Sequence, residues 1–306
     1  MRSDGRLATL RRTATKFRKG NLSDWAAALT YYGLLSLFPA LIAMVSLIGL
    51  FGDPRSTTAS LTEIITEIGP ESAAETFAGP IESLTEHRAT AGFALVGGLA
   101  LALWSASGYV GAFMRASNVI YETPEGRPFW KLRPLQIAVA LVMVVALALL
   151  AVSLVMTGPI VRAVAGPLGI GNTAVDIWDV AKWPLMALVF ILTINFLYYA
   201  SPNVKLRGFR WISAGSVVAV LVWIVASALF GIYVANFGSY NETYGTLGGL
   251  VALLVWLWIS NLAILFGLQL NAERERCLEI EEGRPRADRE IQLEPRSEPK
   301  KTPKTA

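Results

Sequence analysis

Apolar residues along this chain fall into six long runs separated by short charged connectors. Residues 25–52, 89–114, 134–161, 183–204, 211–241 and 243–272 contain no Asp, Glu, Lys or Arg. A bilayer's hydrocarbon core is about 30 Å thick and needs roughly 20 apolar residues in helical form, more than a soluble core helix usually supplies without a charge. Five runs exceed that length with residues to spare, and 183–204, at 22 residues, is near the lower limit. The pattern predicts an all-α, polytopic membrane protein. Its six transmembrane helices span about 26–50, 91–115, 135–158, 183–201, 211–236 and 245–271, inside a membrane domain of residues 25–276.

Two weaker patterns are amphipathic. Leu7, Leu10, Ala14 and Phe17 share one helical face, surrounded by Arg11, Arg12, Lys16, Arg18 and Lys19. This predicts that segment 1–24 contains a basic amphipathic helix lying on an anionic leaflet. Within 53–88, Leu61, Ile64, Ile65 and Ile68 follow the helical i, i+3, i+4, i+7 spacing, with Glu63 and Glu67 opposite. An outer helical cap over 53–88 is expected, with one helix ending near Gly69-Pro70 and a short second one around 71–77. From Cys277 onward charge and proline replace apolar periodicity. Helix six is expected to reach about Glu282, and 277–306 to form a charged, largely disordered tail.

Charge then fixes direction. Of the 27 Lys and Arg, 23 lie in 1–24, 115–133, 205–210 and 273–306, whereas Arg55, Arg88, Arg162 and Lys182 are the only ones elsewhere. This alternation is what the positive-inside rule predicts for six helices with both termini cytoplasmic. The basic residues are thereby explained by topology and are poor grounds for nucleic-acid binding. The chain is 54% hydrophobic and 16% charged, against about 25% charged for a soluble domain. Its mean hydropathy is +0.48, and six spans leave little for a separate soluble domain. The first run is too long for a signal-peptide h-region of about 7–15 residues, so it reads as a retained signal-anchor helix. A single cysteine, Cys277, excludes an internal disulfide framework.

Proline and polar residues punctuate the spans. Pro134 and Pro184 are expected in the first turns of helices three and four, and Pro202 stops helix four. Pro39, inside helix one, is expected to kink it, as a packing feature or as a hinge of a pathway. The connector of helices five and six carries Asn236, Tyr240, Asn241, Glu242, Tyr244, Gly245, Gly248 and Gly249. It is either a tight turn whose Gly245 and Gly249 form a GxxxG packing face, or a half-buried polar pocket at the mouth of a cavity. Asn195, Asn261, Gln269 and Asn271 lie in or at the ends of spans, where amides need partners and so face the bundle interior. They act as glue between helices or line a pathway. The nine Trp mostly cluster near predicted boundaries, as interfacial anchors do.

Enzyme chemistry has little to stand on. The one histidine, His87, lies in the outer loop, and no HExxH or CxxC spacing occurs. There is no phosphate-cradling G-x-x-x-x-G-K-[ST] run and nothing like G-x-S-x-G. No acidic pair sits mid-membrane, which weakens a proton relay. No catalytic, cofactor-binding or metal residues are expected.

Several motifs are more specific. Thr30-Tyr31-Tyr32, followed by Leu34-Leu35-Ser36-Leu37-Phe38-Pro39-Ala40, resembles the opening of the YihY / virulence factor BrkB family of bacterial inner-membrane proteins. So do Tyr198-Tyr199-Ala200-Ser201-Pro202-Asn203, the 237–249 stretch, and Trp256-Leu257-Trp258-Ile259-Ser260-Asn261 with Leu270-Asn271-Ala272-Glu273. The resemblance covers roughly 15–280. It implies a six-helix inner-membrane protein of envelope integrity, linked to the movement of lipids or lipid-linked material, and it carries over no catalytic residues. The family's historical label, ribonuclease BN, is widely regarded as a misassignment, and the residues here side against it. The leading expectation is translocation or export of a lipid-like amphiphile, with membrane lipids as partners and no nucleic acid. The alternative is a non-transporting scaffold for envelope-assembly proteins.

Overall fold

A computed structural model of the chain describes residues 3–51, 88–155, 172–208, 211–236 and 246–298. These residues form seven helices: α1 (Ser3–Lys19), α2 (Leu22–Phe51), α3 (Arg88–Ile120), α4 (Phe129–Val155), α5 (Asn172–Ala200), α6 (Ala214–Asn236) and α7 (Thr246–Glu281). Among the described residues the only extended pairing is an isolated bridge, Val204 with Pro295. Five helices contain segments long and apolar enough to cross a membrane: Val96–Ile120, Phe129–Leu150, Asp176–Ala200, Ala214–Asn236 and Gly248–Glu281.

Each long helix packs against its neighbour in sequence, and α7 returns to pack on α2, so α2 to α7 form a ring. The ring is not uniform along its axis. Buried residues concentrate in 107–121, 193–204, 215–220 and 261–279, together with the start of α2 around Leu22, Ala26 and Leu29. These stretches share one end of the bundle, here called the basal end. Toward the other end, 141–150, 221–236 and 248–260 are half-buried or exposed. Exposed apolar side chains such as Leu141, Val145, Leu221, Val225 and Leu229 cover the outer faces of α4 and α6. A water-soluble helix hides such a stripe, so an apolar face of this extent fits a lipid solvent.

Glycine explains the tight basal contact of α6 with α7. A Cβ at Gly215 would collide with the backbone of Gly267, and one at Gly267 with that of Gly215 and, at 2.6 Å, with the Tyr198 hydroxyl. Small residues let helices approach this closely in a membrane. Gly249, by contrast, has open space around its Cα. The close glycine contact therefore lies at Gly215 and Gly267; the expected partner position Gly245 is outside the described residues.

The helices overrun the predicted spans. α5 begins at Asn172 rather than 183, because Lys182 is buried beside Asp179, with Nζ 2.9 Å from Oδ1, which lets a charged turn extend the helix. Pro184 consequently sits well inside α5, and Pro134 in the second turn of α4, not in first turns. α2 stays helical through position 39, whose side chain is outside the description. The helical cap expected over 53–88, all but Arg88 at the start of α3, and the connector residues Tyr240, Asn241, Glu242, Tyr244 and Gly245 also lie outside the described residues.

Both arms of the basal end differ from expectation. α1 is helical, but its buried face carries Thr9 and Thr13, while Leu10 is exposed. That face docks on α7, with Thr9 Oγ1 3.3 Å from Cys277 Sγ and Phe17 edge-on to Phe266 at 5.7 Å between centroids. The helix is thus held by protein contacts. The tail, expected to be disordered beyond about Glu282, is ordered through Glu298. Ala287 and Ile291 are buried, Lys205 N donates to Glu294 O at 2.7 Å, and Arg296 N to Asn203 O at 3.0 Å. Its few apolar side chains give no periodic signal; backbone pairing and buried carboxylates hold it instead.

Candidate functional site

Most buried polar residues of the spans gather toward the basal end. Asn261 on α7 accepts a hydrogen bond from the Tyr109 hydroxyl of α3 at 2.8 Å and donates to Thr30 Oγ1 of α2 at 3.2 Å. One amide thereby ties three helices. Asn271 accepts from Gly215 N at 2.9 Å and donates to Ser213 Oγ at 2.9 Å, pinning the start of α6. The Tyr198 hydroxyl of α5 donates to the Ile264 carbonyl. Tryptophans add two links: Trp223 Nε1 donates to Ser260 Oγ and Trp256 Nε1 to Ser227 Oγ, at 3.0 and 3.2 Å. Trp256 is therefore an interhelical donor, whereas Trp130 and Trp211 are exposed near helix ends as anchors would be and Trp183 is exposed within α5.

Between α5, α6 and α7 these contacts leave a small cavity of about 70 Å³. Asn195, Tyr198, Ser213 and Asn271 line it, and Arg207 and Glu275 close it at the basal surface. Arg207 reaches Glu275 at 3.1 Å and Glu282 of the tail at 2.9 Å. Asn195, Ser213 and Asn271 share its lining with Leu206 and Leu278, and its volume would admit a few waters or a small polar group.

Below it, ionisable groups are buried in pairs. Glu273, Arg276 and Glu279 are buried on α7 beyond the apolar run. Arg276 Nη2 donates to Glu122 at 2.9 Å, Lys16 of α1 pairs with the same carboxylate at 2.7 Å, and Ile291 N of the tail donates to its other oxygen at 3.1 Å. Burial disfavours the charged form of Glu122, but the Lys16 hydrogen bond and the Arg276 charge outweigh it and hold the carboxyl below the usual range. Glu279 accepts from Gln292 N at 3.0 Å. Asn203, fully buried, completes the closure. It donates to the carbonyls of Pro124 and Ser297 and accepts from Ser297 N at 3.1 Å, while its own N–H goes to Asn118.

A search against family models matches residues 13–291 to the family described as virulence factor BrkB. The chain belongs to the BrkB family. It is 33% identical over 249 residues, 81% of this chain and 88% of the relative, to a Bacillus subtilis protein named putative ribonuclease-like protein YfkH. It is 29% identical over 278 residues to a UPF0761 membrane protein of Rhodospirillum centenum, covering 87% of this chain and 57% of that one. A shorter match, 37% over 93 residues, is to a UPF0761 membrane protein of Tolumonas auensis. The chain thus spans little more than half of the longer UPF0761 relative. No solved structure matches. The BrkB motifs quoted above coincide with the basal contacts: Thr30, Tyr198, Asn203, Asn261 and Asn271 are each a hydrogen-bonding hub or a cavity wall.

Of the residues singled out in sequence, the structure brings Asn195 and Asn271 together in one cavity and gives Asn261 a bridging role. Gln269 stands apart, donating to Glu273 at 3.3 Å near α1 and α3. Asn236 is exposed at the far end of α6 and donates to its own Ile232 carbonyl, and Gly248 and Gly249 lie at that end too. Reading the sequence did not pick Tyr109, Tyr198, Asn203, Gly215, Gly267, Glu122 or Arg276 as site residues, although Tyr198 and Asn203 stand in a motif quoted for the resemblance. Arg276 also left a signal, as part of a charged i, i+3, i+6 face with Glu273 and Glu279 that continues a span. Among the described residues no three His, Cys, Asp or Glu side chains are grouped so as to hold a metal ion.

Proposed function

We propose that the chain crosses the bacterial inner membrane six times, with α2 as the first span and both termini cytoplasmic, and moves a lipid or lipid-linked amphiphile along its helix ring. The observation that carries this reading is the asymmetry of the ring: packed and hydrogen-bonded at the basal end, loosely packed toward the other. A lipid needs a polar recess for its head and open sides for its tails, and a ring of mostly half-buried helices above a polar floor supplies both. The 23 basic residues of the basal connectors support the orientation. Asn195 and Asn271 would meet the headgroup, and Asn236, exposed at the far end of α6, would stand at the opposite mouth. Envelope integrity is the cellular role such movement serves.

Purified protein reconstituted in vesicles should speed exchange of a labelled lipid between leaflets, and Asn195→Leu or Asn271→Leu should slow it several-fold. Rates equal to those of protein-free vesicles would remove the support. A non-transporting scaffold is the second reading, favoured by the ordered basal surface that α1 and the tail build together. Truncating either arm would not separate the readings, because both arms are parts of the fold. Charge reversal at exposed Arg286 and Arg289 does: a scaffold loses partners, whereas a translocator keeps its rate. The ribonuclease-like name of the Bacillus subtilis relative is tested by adding RNA to the same purified protein, and we expect no cleavage.

A further inference from the structure

A second recess, outside the ring, lies between α1 and α7. It is a cleft of about 620 Å³ lined by Arg11, Arg12, Thr15, Lys16 and Lys19 from one face of α1, by Glu273 and Arg276 from α7, and by Asp288 from the tail. Five cations thus face two carboxylates. Lys16 and Arg276 are both engaged by Glu122, but Arg11, Arg12 and Lys19 form no ion pair among the described residues. At the floor, Arg276 is 2% exposed and its Nη1 has no hydrogen-bond partner among the described residues. A buried guanidinium nitrogen without an acceptor costs free energy, so an acceptor is called for here. Glu273 Oε2 is similarly unpartnered nearby, so the floor also accepts a donor such as a protonated hydroxyl or a water.

We propose that this cleft binds a phosphate-bearing anion. Arg11 and Arg12 engage its outer oxygens, Lys19 closes the rim, and Arg276 Nη1 meets an oxygen at the floor directly or through one water. Guanidinium groups match phosphate oxygens in pairs. The opposite face of α1 is fixed to the bundle by Thr9, Thr13 and Phe17, so the basic face is preorganised rather than assembled on binding. α1 runs through a two-residue turn at Gly20 and Asn21 into α2, which sets the cleft at the end of a helix read as a span. The phosphate therefore comes from a phospholipid headgroup in the adjoining leaflet or from a soluble phosphate compound. The site is separate from the ring cavity, and its test reads binding, so it stands or falls apart from the transport reading.

Full-length protein in nanodiscs of neutral phosphatidylcholine is titrated with anionic phosphatidylglycerol, and lipid retained on the protein is counted by native mass spectrometry. The same titration is repeated with inorganic phosphate as competitor. Arg11→Gln with Arg12→Gln should weaken retention about tenfold, each cation near an anionic surface being worth a several-fold factor. Arg286→Gln, exposed and outside the cleft, should leave it unchanged. Competition by inorganic phosphate would assign the source as soluble, and its absence would assign the lipid. Equal loss in Arg286→Gln, or equal retention by all variants, would overturn the proposal. Arg276→Lys keeps the charge but loses the fork, and is expected to weaken binding without unfolding. A variant of Arg276 that binds as tightly as the parent would remove it from the site.

Discussion

At the residue scale, stability rests on small polar groups that each serve several helices. The fully buried Asn203 side chain makes three hydrogen bonds, so Asn203→Ala leaves the Pro124 and Ser297 carbonyls and the Ser297 N–H unpaired. At roughly 1–1.5 kcal/mol for each hydrogen bond, it should cost on the order of 2–4 kcal/mol. Thermal unfolding in detergent checks this, and an unchanged midpoint would contradict it. Glycines give a sharper contrast. Gly267→Val must push α6 away, whereas Gly249→Ala meets nothing within 4 Å. The first should lower the unfolding midpoint by several degrees and the second should not move it. These residues also mark what was legible in the sequence. Asn261 and Asn271 announced themselves as amides in an apolar run; Gly267 did not, because its role depends on Gly215 lying opposite, 52 positions away in the chain.

At the element scale, α2 to α7 follow from apolar run length and α1 from amphipathic spacing, but the helix ends do not. An uncharged run marks where lipid is crossed, and a helix continues past it whenever its charges find partners, as Lys182 does with Asp179 and Arg276 with Glu122. The tail was illegible for a related reason: its order comes from Glu122 and Glu279 accepting Ile291 N and Gln292 N, contacts without a sequence period. This gives the tail a pH dependence of definite sign. The folded-state pKa of Glu122 is depressed, so its contribution is complete above the ordinary glutamate value of about 4.3 and is lost as pH falls through the lower folded value. The protection factor of the Ile291 amide should fall once pH drops below the ordinary glutamate range, and Glu122→Gln should show the lower protection already at pH 7. Identical protection in parent and variant at neutral pH would contradict this role of Glu122. The docking of α1 has its own check. Thr9→Cys sets a thiol against Cys277, and mild oxidation should join them, since the native atoms are 3.3 Å apart. A helix lying free on the membrane would leave both thiols unreacted with each other.

At the scale of the whole molecule, the ring is the main result. Sequence alone predicts long apolar helices and their alternating connectors; it does not say that α7 closes on α2 or that the packed contacts gather at one end. Those features depend on Tyr109, Thr30 and Asn261 meeting across three helices. The account requires this end to open for an amphiphile to pass. Locking it is the most direct test. With Cys277→Ser removing the native thiol, Thr30→Cys and Asn261→Cys place a cross-linkable pair between α2 and α7, whose native side chains are 3.2 Å apart. In vesicles carrying a labelled lipid, the reduced protein should exchange it between leaflets faster than protein-free vesicles do. The oxidised protein should not, and a reductant should restore the rate. Exchange that is equally fast in the oxidised and reduced protein, or no faster than in protein-free vesicles in either state, would contradict the account.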